Sequence, residues 1–394
     1  MLPRLLLIHQ HFGFQGGAEQ YLFSISEELS QRFELHLIYA TGTGKREADF
    51  AAPFTSVSRL ADINAGLDAY IESLKPQLIY LHKCTDPLVF RGALDSGIPA
   101  IRMVHDHDVY CMRSYKYFPW SREPCNHKAG SACFIPCMGF VQRDRNANCL
   151  GVKLKSWSDQ KELIELDQKL HAHLVGSHFM RTELIRQGYD AEKIHIVPPV
   201  PRPMQASVSS DFAASNHLLF IGQIIRGKGL DCLIRALQKV DKPFHLYVLG
   251  EGSHRSHCER LADSLGLSDR ISFKGFLPHS EMLPYFEHAS AVVFPSVWPE
   301  PFGAVGLEVM RWGIPVVGFD AGGVRDWLVD GVSGRLVENR NIPALSRAIN
   351  NILGDKEETR RLGLSAKGFV QETFNFESIL ERQSQLLKSL MQLA

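Results

Sequence analysis

Two glutamates eight positions apart, Glu300 and Glu308, stand in the run Pro299-Glu300-Pro301-Phe302-Gly303-Ala304-Val305-Gly306-Leu307-Glu308. A carboxylate accepts hydrogen bonds from hydroxyls and offers no donor of its own. If the whole span were helical, a rise of 1.5 Å per residue would separate the pair by about 12 Å. That is the order of distance from a sugar to a ribose across a diphosphate. Taken singly, each glutamate reads as a helix cap or a solvent-facing residue. Together with Phe302-Gly303 and the later Gly322-Gly323 turn, they read as ligand contacts. Pro301 sets a turn, a helix is expected from near Gly303, and Gly313 with Pro315 ends it. Backbone N–H groups at such a helix start have no internal partner and favour an anion.

A second cluster is Phe220-Ile221-Gly222-Gln223-Ile224-Ile225-Arg226-Gly227-Lys228-Gly229. Glycines let backbone approach a ligand closely, and Arg226 and Lys228 supply positive charge for a diphosphate. Solvated basic residues are the bland alternative, which the neighbouring glutamate pair disfavours. Breaking a nucleotide-sugar bond places growing negative charge on the diphosphate, and preorganised cations stabilise that charge.

Such residues need strand ends to hold them. Apolar runs at Leu5–His9, Leu35–Tyr39, Leu78–His82, Ala100–His105, His173–Gly176 and Ile194–Val197 alternate with helical patterns, among them Ala18–Phe33 and a helix capped by Ser177 and ending near Gly188. A proline-rich and then polar stretch, Pro198 to Asn216, reads as a linker. A second series follows at His217–Ile221, Phe244–Leu249, Ile271–Lys274, Ala291–Pro295, Val316–Phe319 and Gly334–Val337, with a last helix at Phe376–Leu393. This alternation predicts an α/β fold of two doubly wound parallel sheets. Ligands of such sheets bind beyond the carboxyl ends of the strands. The expected organisation is a first domain at 1–200, a second at 201–375, and a C-terminal helix at 376–394.

Bulk properties narrow the class. The chain has 394 residues and zero formal net charge, which gives no sign of a nucleic-acid coat. No apolar stretch has the length of a transmembrane helix. His9 and His11 interrupt the first apolar run, so it reads as a strand and not as a signal peptide. On that reading the eight cysteines are reduced thiols in a cytoplasm.

The pattern resembles family 4 of the retaining glycosyltransferases, bacterial polysaccharide and glycolipid enzymes included. The residues that carry it are Glu300-x7-Glu308, Gly222 to Gly229, Gly250-Glu251-Gly252, Gly275-Phe276-Leu277, Gly322-Gly323 and Gly16-Gly17. The resemblance implies a GT-B fold, two facing Rossmann-like domains with a C-terminal helix returning to the first. It implies a retaining, metal-independent hexosyltransferase that uses a UDP- or GDP-sugar, bound by the second domain, and a saccharide or lipid-linked acceptor on the side of the first. Glu300 would contact donor sugar hydroxyls and Glu308 the ribose. Arg226 and Lys228 would hold the diphosphate, and backbone near Phe276 would meet the base. Gly16 and Gly17 would admit the diphosphate, and the Gly222 turn with Phe302, Gly303, Ala304 and Val305 would complete the donor site. His105 would face the reacting sugar. Two departures stand out: Gln223 follows Gly222 where relatives often carry Arg, with Arg226 taken to supply the charge, and Pro198-Pro199-Val200 replaces an Asn-Gly hinge.

His105-Asp106-His107-Asp108 contains an Asp-x-Asp pair by spelling, but no metal role is assigned to it. The stretch from about 106 to 150 is an insertion holding Cys111, Cys125, Cys133, Cys137 and Cys149. A long loop without its own core needs a staple. Zinc on Cys111, Cys125, Cys133 and Cys137, with His127 as a substitute ligand, is one reading, and free buried thiols are the other. The same region is basic: Arg113, Lys116, Arg122, Lys128, Arg143, Arg145, Lys153, Lys155 and Lys161 against Glu123, Asp144 and Asp159. It is a solvated face, or a contact for an anionic lipid-linked acceptor or the inner membrane surface.

Three other functions fit parts of the pattern. A GT-B epimerase or phosphorylase would use similar ligands. A non-catalytic subunit could keep the fold, although Glu300, Glu308, Lys228 and His105 are all present. A zinc-dependent nucleic-acid module would need a compact finger pattern that the cysteine spacing lacks.

Overall fold

The computed structural model describes residues 2–64, 66–143, 152–203 and 215–393. Cys149, Arg145, Asp144 and part of the linker lie outside them. The chain divides into two compact units, one of Met1–Pro119, Cys125–Pro199 and Glu377–Ala394, the other of Trp120–Pro124 and Val200–Phe376.

The first unit is built on a parallel sheet of β1 (Arg4–Phe12), β2 (Glu34–Gly42), β3 (Ser56–Arg59), β4 (Leu78–Leu81), β5 (Ala100–Val104), β8 (Ala172–Val175) and β9 (Ile194–Ile196), in the order β3-β2-β1-β4-β5-β8-β9. The inserted stretch carries the antiparallel hairpin β6 (Val141–Arg143) and β7 (Val152–Leu154). Leu5, Leu6, Leu7 and Ile8 are all buried. A strand covered on both faces reads as a continuous apolar run, which is why β1 is visible in the sequence. The helix Gly17–Leu29 turns Tyr21, Leu22, Ile25 and Leu29 inward at helical spacing. It stops four residues short of the expected Phe33, where a turn takes over. The Ser177 hydroxyl accepts Met180 N–H at 3.1 Å and starts the helix His178–Gln187, and Gly188 ends it at φ 95°.

The C-terminal helix Phe376–Leu390 is part of this unit from Glu377 onward. Its Gln383 is buried and bridges two tyrosines. Tyr21 OH donates to Gln383 Oε1 at 3.2 Å, and Gln383 Nε2 donates to Tyr80 OH at 3.2 Å.

The second unit holds six parallel strands: β10 (His217–Ile221), β11 (His245–Leu249), β12 (Ile271–Gly275), β13 (Ala289–Phe294), β14 (Val316–Phe319) and β15 (Gly334–Val337). Their order is β12-β11-β10-β13-β14-β15, so strand order reverses between β10 and β13. The core packs Leu218, Phe220, Leu246, Val248, Ala291 and Val293 against Leu233, Leu237, Ile349 and Leu353. At about 25 cal/mol per Å² of apolar surface, each such Leu or Val contributes roughly 1.5–3 kcal/mol.

Candidate functional site

In the second unit, Lys228 and Glu300 flank the reversal between β10 and β13. Arg226–Lys228 forms a single 3₁₀ turn after β10, and Gly229 leads into the helix Leu230–Leu237. Gly229 has φ +69°, and a Cβ there would lie 1.9 Å from the Pro295 carbonyl oxygen. Val297 N–H donates to Gly227 O at 2.8 Å, so the loops after β10 and β13 are sewn together. Lys228 Nζ donates to Glu300 Oε1 at 2.6 Å, and Ser296 Oγ donates to the same oxygen at 2.6 Å. The ammonium also lies 5.3 Å from the Trp298 ring centre and 5.7 Å from that of Phe294. Glu300 is only 2 % exposed. Its carbonyl accepts Gly323 N–H at 2.7 Å, and a Cβ on Gly322 would meet that oxygen at 2.4 Å. The Gly322-Gly323 turn thus seats the backbone of Glu300.

Other site residues fall differently from expectation. Only Val305–Arg311 is helical, so the span from Glu300 to Glu308 is mostly not helix and the helical estimate of their separation does not apply. Glu308 is half-buried within that short helix, and Arg226 is exposed. The Phe302 ring is buried at 2 % exposure, 5.9 Å from the Phe374 ring, and its carbonyl accepts Trp327 Nε1–H at 2.6 Å. That ring belongs to the core and is not available to a ligand. Gly303, Ala304 and Val305 are half-buried, and Gly303 sits at φ +89°. Phe276 is 77 % exposed after Gly275, and Gly222 has open space where a Cβ would stand.

In the first unit the comparable strand ends carry histidines and charges. Gly17 opens its helix with nothing within 4 Å of a Cβ position, and Gly16 precedes it. His9 Nδ1 accepts Lys83 N–H at 3.3 Å, which leaves the proton on Nε2 to donate to Glu19 at 3.0 Å. The Glu19 carboxyl is held at about 2, below the usual carboxylate range, by the His9 hydrogen bond working against burial. His105 follows β5, and its Nε2 lies 3.0 Å from His82 Nδ1 at the end of β4. The loop beyond is pinned at both carboxylates. Lys83 Nζ holds Asp106 at 2.9 Å, and Arg102 Nη2 holds Asp108 at 2.8 Å. Arg102 is itself buried and also lies 3.3 Å from Asp167.

Cys111, Cys125, Cys133 and Cys137 line one small cavity with His127 and Lys116. All four are free thiols. Burial raises the Cys133 thiol and pushes Cys137 up to about 11. Lys116 is not part of a solvated face, since it is buried and pairs with Glu183 at 3.0 Å. Arg122 also leaves that face, gripping Asp231 through two hydrogen bonds of 3.0 and 2.6 Å. Among the described residues, the histidine, cysteine or carboxylate ligand atoms gathered within 4.8 Å of one another belong to Asp231, His254 and His257. The fork from Arg122 already occupies that carboxylate.

Sequence reasoning passed over Ser296, His82, His9 and Glu19. His82 ends its strand as His105 ends the next, so position alone was an available signal. Ser296 lay between the strand Ala291–Pro295 and the run from Pro299 to Glu308, and Glu19 inside the expected helix Ala18–Phe33, so neither drew the reading.

Two Rossmann-type sheets, each with charged groups at its strand ends, place the chain in the GT-B class of folds. The HepE protein of Anabaena, solved with UDP, shares that fold at a TM-score of 0.76, with 18 % identity over 98 % of this chain and 100 % of its own. Sucrose-phosphate synthase from Thermosynechococcus elongatus gives 0.73, at 19 % identity over the whole of both chains. Residues 208–369 match the model of Glycosyl transferases group 1, and the chain carries a domain of that family. Among curated relatives, the D-inositol 3-phosphate glycosyltransferase of Nocardia farcinica is 31 % identical over 52 % of this chain and 49 % of its own length. The GDP-mannose-dependent alpha-(1-6)-phosphatidylinositol monomannoside mannosyltransferase of Mycolicibacterium smegmatis is 24 % identical over 55 % and 68 %. An uncharacterised glycosyltransferase of Methanocaldococcus jannaschii is 30 % identical over 45 % of each. The match thus spans about half the length of most of these relatives. Among the described residues, no helix is long and apolar enough to cross a membrane.

Proposed function

We propose that the protein is a retaining glycosyltransferase that moves a hexose-type sugar from a nucleotide-diphosphate sugar onto a saccharide or lipid-linked acceptor. The pathway is polysaccharide or glycolipid assembly, in the cytoplasm or at the inner face of its membrane. The observation that carries this reading is the Lys228–Glu300 pair at the strand-order reversal of the second unit. Glu300 accepts hydroxyls of the donor sugar and Glu308 those of the ribose. Lys228 and Arg226 neutralise the diphosphate as it leaves. The acceptor hydroxyl bonds to the anomeric carbon on the face from which the phosphate oxygen departs. That oxygen takes the acceptor proton, and the nucleoside diphosphate is released. Lys228 bridges sugar and phosphate, because an ammonium has three donors and Glu300 uses one.

Transfer on this reading needs no bound metal. Support comes from Asp106 and Asp108, whose carboxylates are already held by Lys83 and Arg102. The four cysteines line one cavity, but no three of them bring their ligand atoms within 4.8 Å of one another, so a structural zinc there would need the sulfurs to close in. Metal analysis of the purified protein tests it. Exposed Lys153, beside Leu154 at 70 % exposure, supports contact with anionic lipid. Vesicle binding unchanged by Lys153→Glu with Lys155→Glu would remove that element.

The deciding experiment screens nucleotide sugars by thermal shift and then follows product with and without acceptor, in chelator. Melting should rise with one donor class. Acceptor-dependent product with the donor's anomeric configuration is expected. Product formed without acceptor, or inverted product, overturns the proposal.

A further inference from the structure

We infer that His82 is a positioning residue that fixes His105 as its Nδ1–H tautomer, so that His105 meets its ligand as a hydrogen-bond donor. His82 Nδ1 and His105 Nε2 are 3.0 Å apart. Burial lowers both imidazoles, His105 to about 3 and His82 well below its usual range, so two neutral rings share one N–H.

Two arrangements exist. If His105 donates, the His82 proton sits on Nε2, a buried atom with no hydrogen-bond partner. If His82 donates, that same atom keeps only a lone pair. An orphaned buried N–H is rarer than an under-used acceptor, which selects the second arrangement. The surroundings agree. His82 packs against His9, Tyr21 and Tyr80. The charged groups acting on it are His105, His9 and Arg102, with no carboxylate among them to receive a proton from Nε2. The Arg102 guanidinium repels an N–H and attracts a lone pair. With Nε2 of His105 accepting from His82, its proton is on Nδ1, the nitrogen left for a ligand.

The consequence rests on the proposed function: His105 gives a hydrogen bond to a sugar oxygen and cannot serve as a base through Nδ1. It therefore selects donors that place a hydroxyl or ring oxygen there.

The test is histidine ¹⁵N–¹H correlation on the full chain, with His105→Gln assigning the signal. The wild type should show a protonated Nδ1 and a bare Nε2 on His105. His82→Leu should release that pattern and lower kcat/KM on the order of 10- to 100-fold, mainly through KM for the donor. His82→Asn, whose amide can replace the Nδ1–H, should restore the pattern and part of the turnover. A wild-type His105 protonated on Nε2 overturns the inference, as does an unchanged pattern in His82→Leu. The spectrum is read without substrate, so it can fail while the transferase reading stands.

Discussion

Glu300 Oε1 receives both Lys228 Nζ and Ser296 Oγ at 2.6 Å, so a single oxygen of a buried carboxylate carries both hydrogen bonds. The arrangement predicts a loss from either side of the pair. Glu300→Gln keeps shape but turns one acceptor into a donor, and Lys228→Ala strips the carboxylate of its cation. Each should lower kcat/KM by about 100- to 1,000-fold, the scale for losing one preorganised electrostatic contact. Far-ultraviolet dichroism should be unchanged. Steady-state transfer assays check the prediction, and wild-type turnover in either variant would refute the site map.

Two glycines that both begin or line helices should respond oppositely to alanine. Gly17 has nothing within 4 Å of a Cβ, so Gly17→Ala should leave melting equal or slightly higher. If a diphosphate packs there, KM for the donor rises by about tenfold or more, on the scale of close-packed ligand contacts. At Gly306 a Cβ would lie 2.2 Å from the Trp327 ring. Gly306→Ala should cost about 1–3 kcal/mol through overpacking and lower the melting temperature by several degrees. Calorimetry of both variants beside donor kinetics separates the two effects.

Acid should find Glu19. Its folded carboxyl titrates at about 2 against an ordinary 4.5. A depressed acid adds stability above its unfolded value and loses it as pH falls through the folded one. The contribution, about 3 kcal/mol at 1.36 kcal/mol per pH unit, is therefore present at neutral pH and disappears between about 4.5 and 2. Urea unfolding across that window should show Glu19→Gln less stable at pH 7 and converging on wild type at the acid end. Parallel curves would contradict the assignment.

Shortening Gln383 removes the amide that joins two buried tyrosine hydroxyls and leaves them only each other. Gln383→Ala should destabilise the first unit by about 1–3 kcal/mol, the scale for losing buried hydrogen bonds with one group left under-satisfied. Gln383→Glu keeps only the acceptor for Tyr21. Chemical denaturation of both variants measures the difference.

Much of the fold was legible because buried parallel strands leave unbroken apolar runs, as Leu5–Ile8 and Leu78–Leu81 do. β3 escaped notice, since Ser56-Val57-Ser58-Arg59 is a four-residue edge strand with one apolar side chain. The hairpin β6–β7 hid in a stretch whose cysteines drew the reading. At the site, Lys228 and Glu300 were legible from residue type and strand-end position. Phe302 was not, because spacing after a proline cannot say that its ring turns into the core beside Phe374. Lys116 and Arg122 were counted as surface charge, and only three-dimensional pairing with Glu183 and Asp231 showed otherwise.

Because Gln383 and its helix complete the first unit, that unit must wait on the ribosome. Residues 1–199 emerge early, yet the segment that closes their core is translated only after residue 376. The intervening unit holds its own strands in one stretch and can fold while synthesis continues. Until the late helix docks, Tyr21 and Tyr80 lack the Gln383 amide that bridges them, so the amino-terminal unit completes its polar interior last.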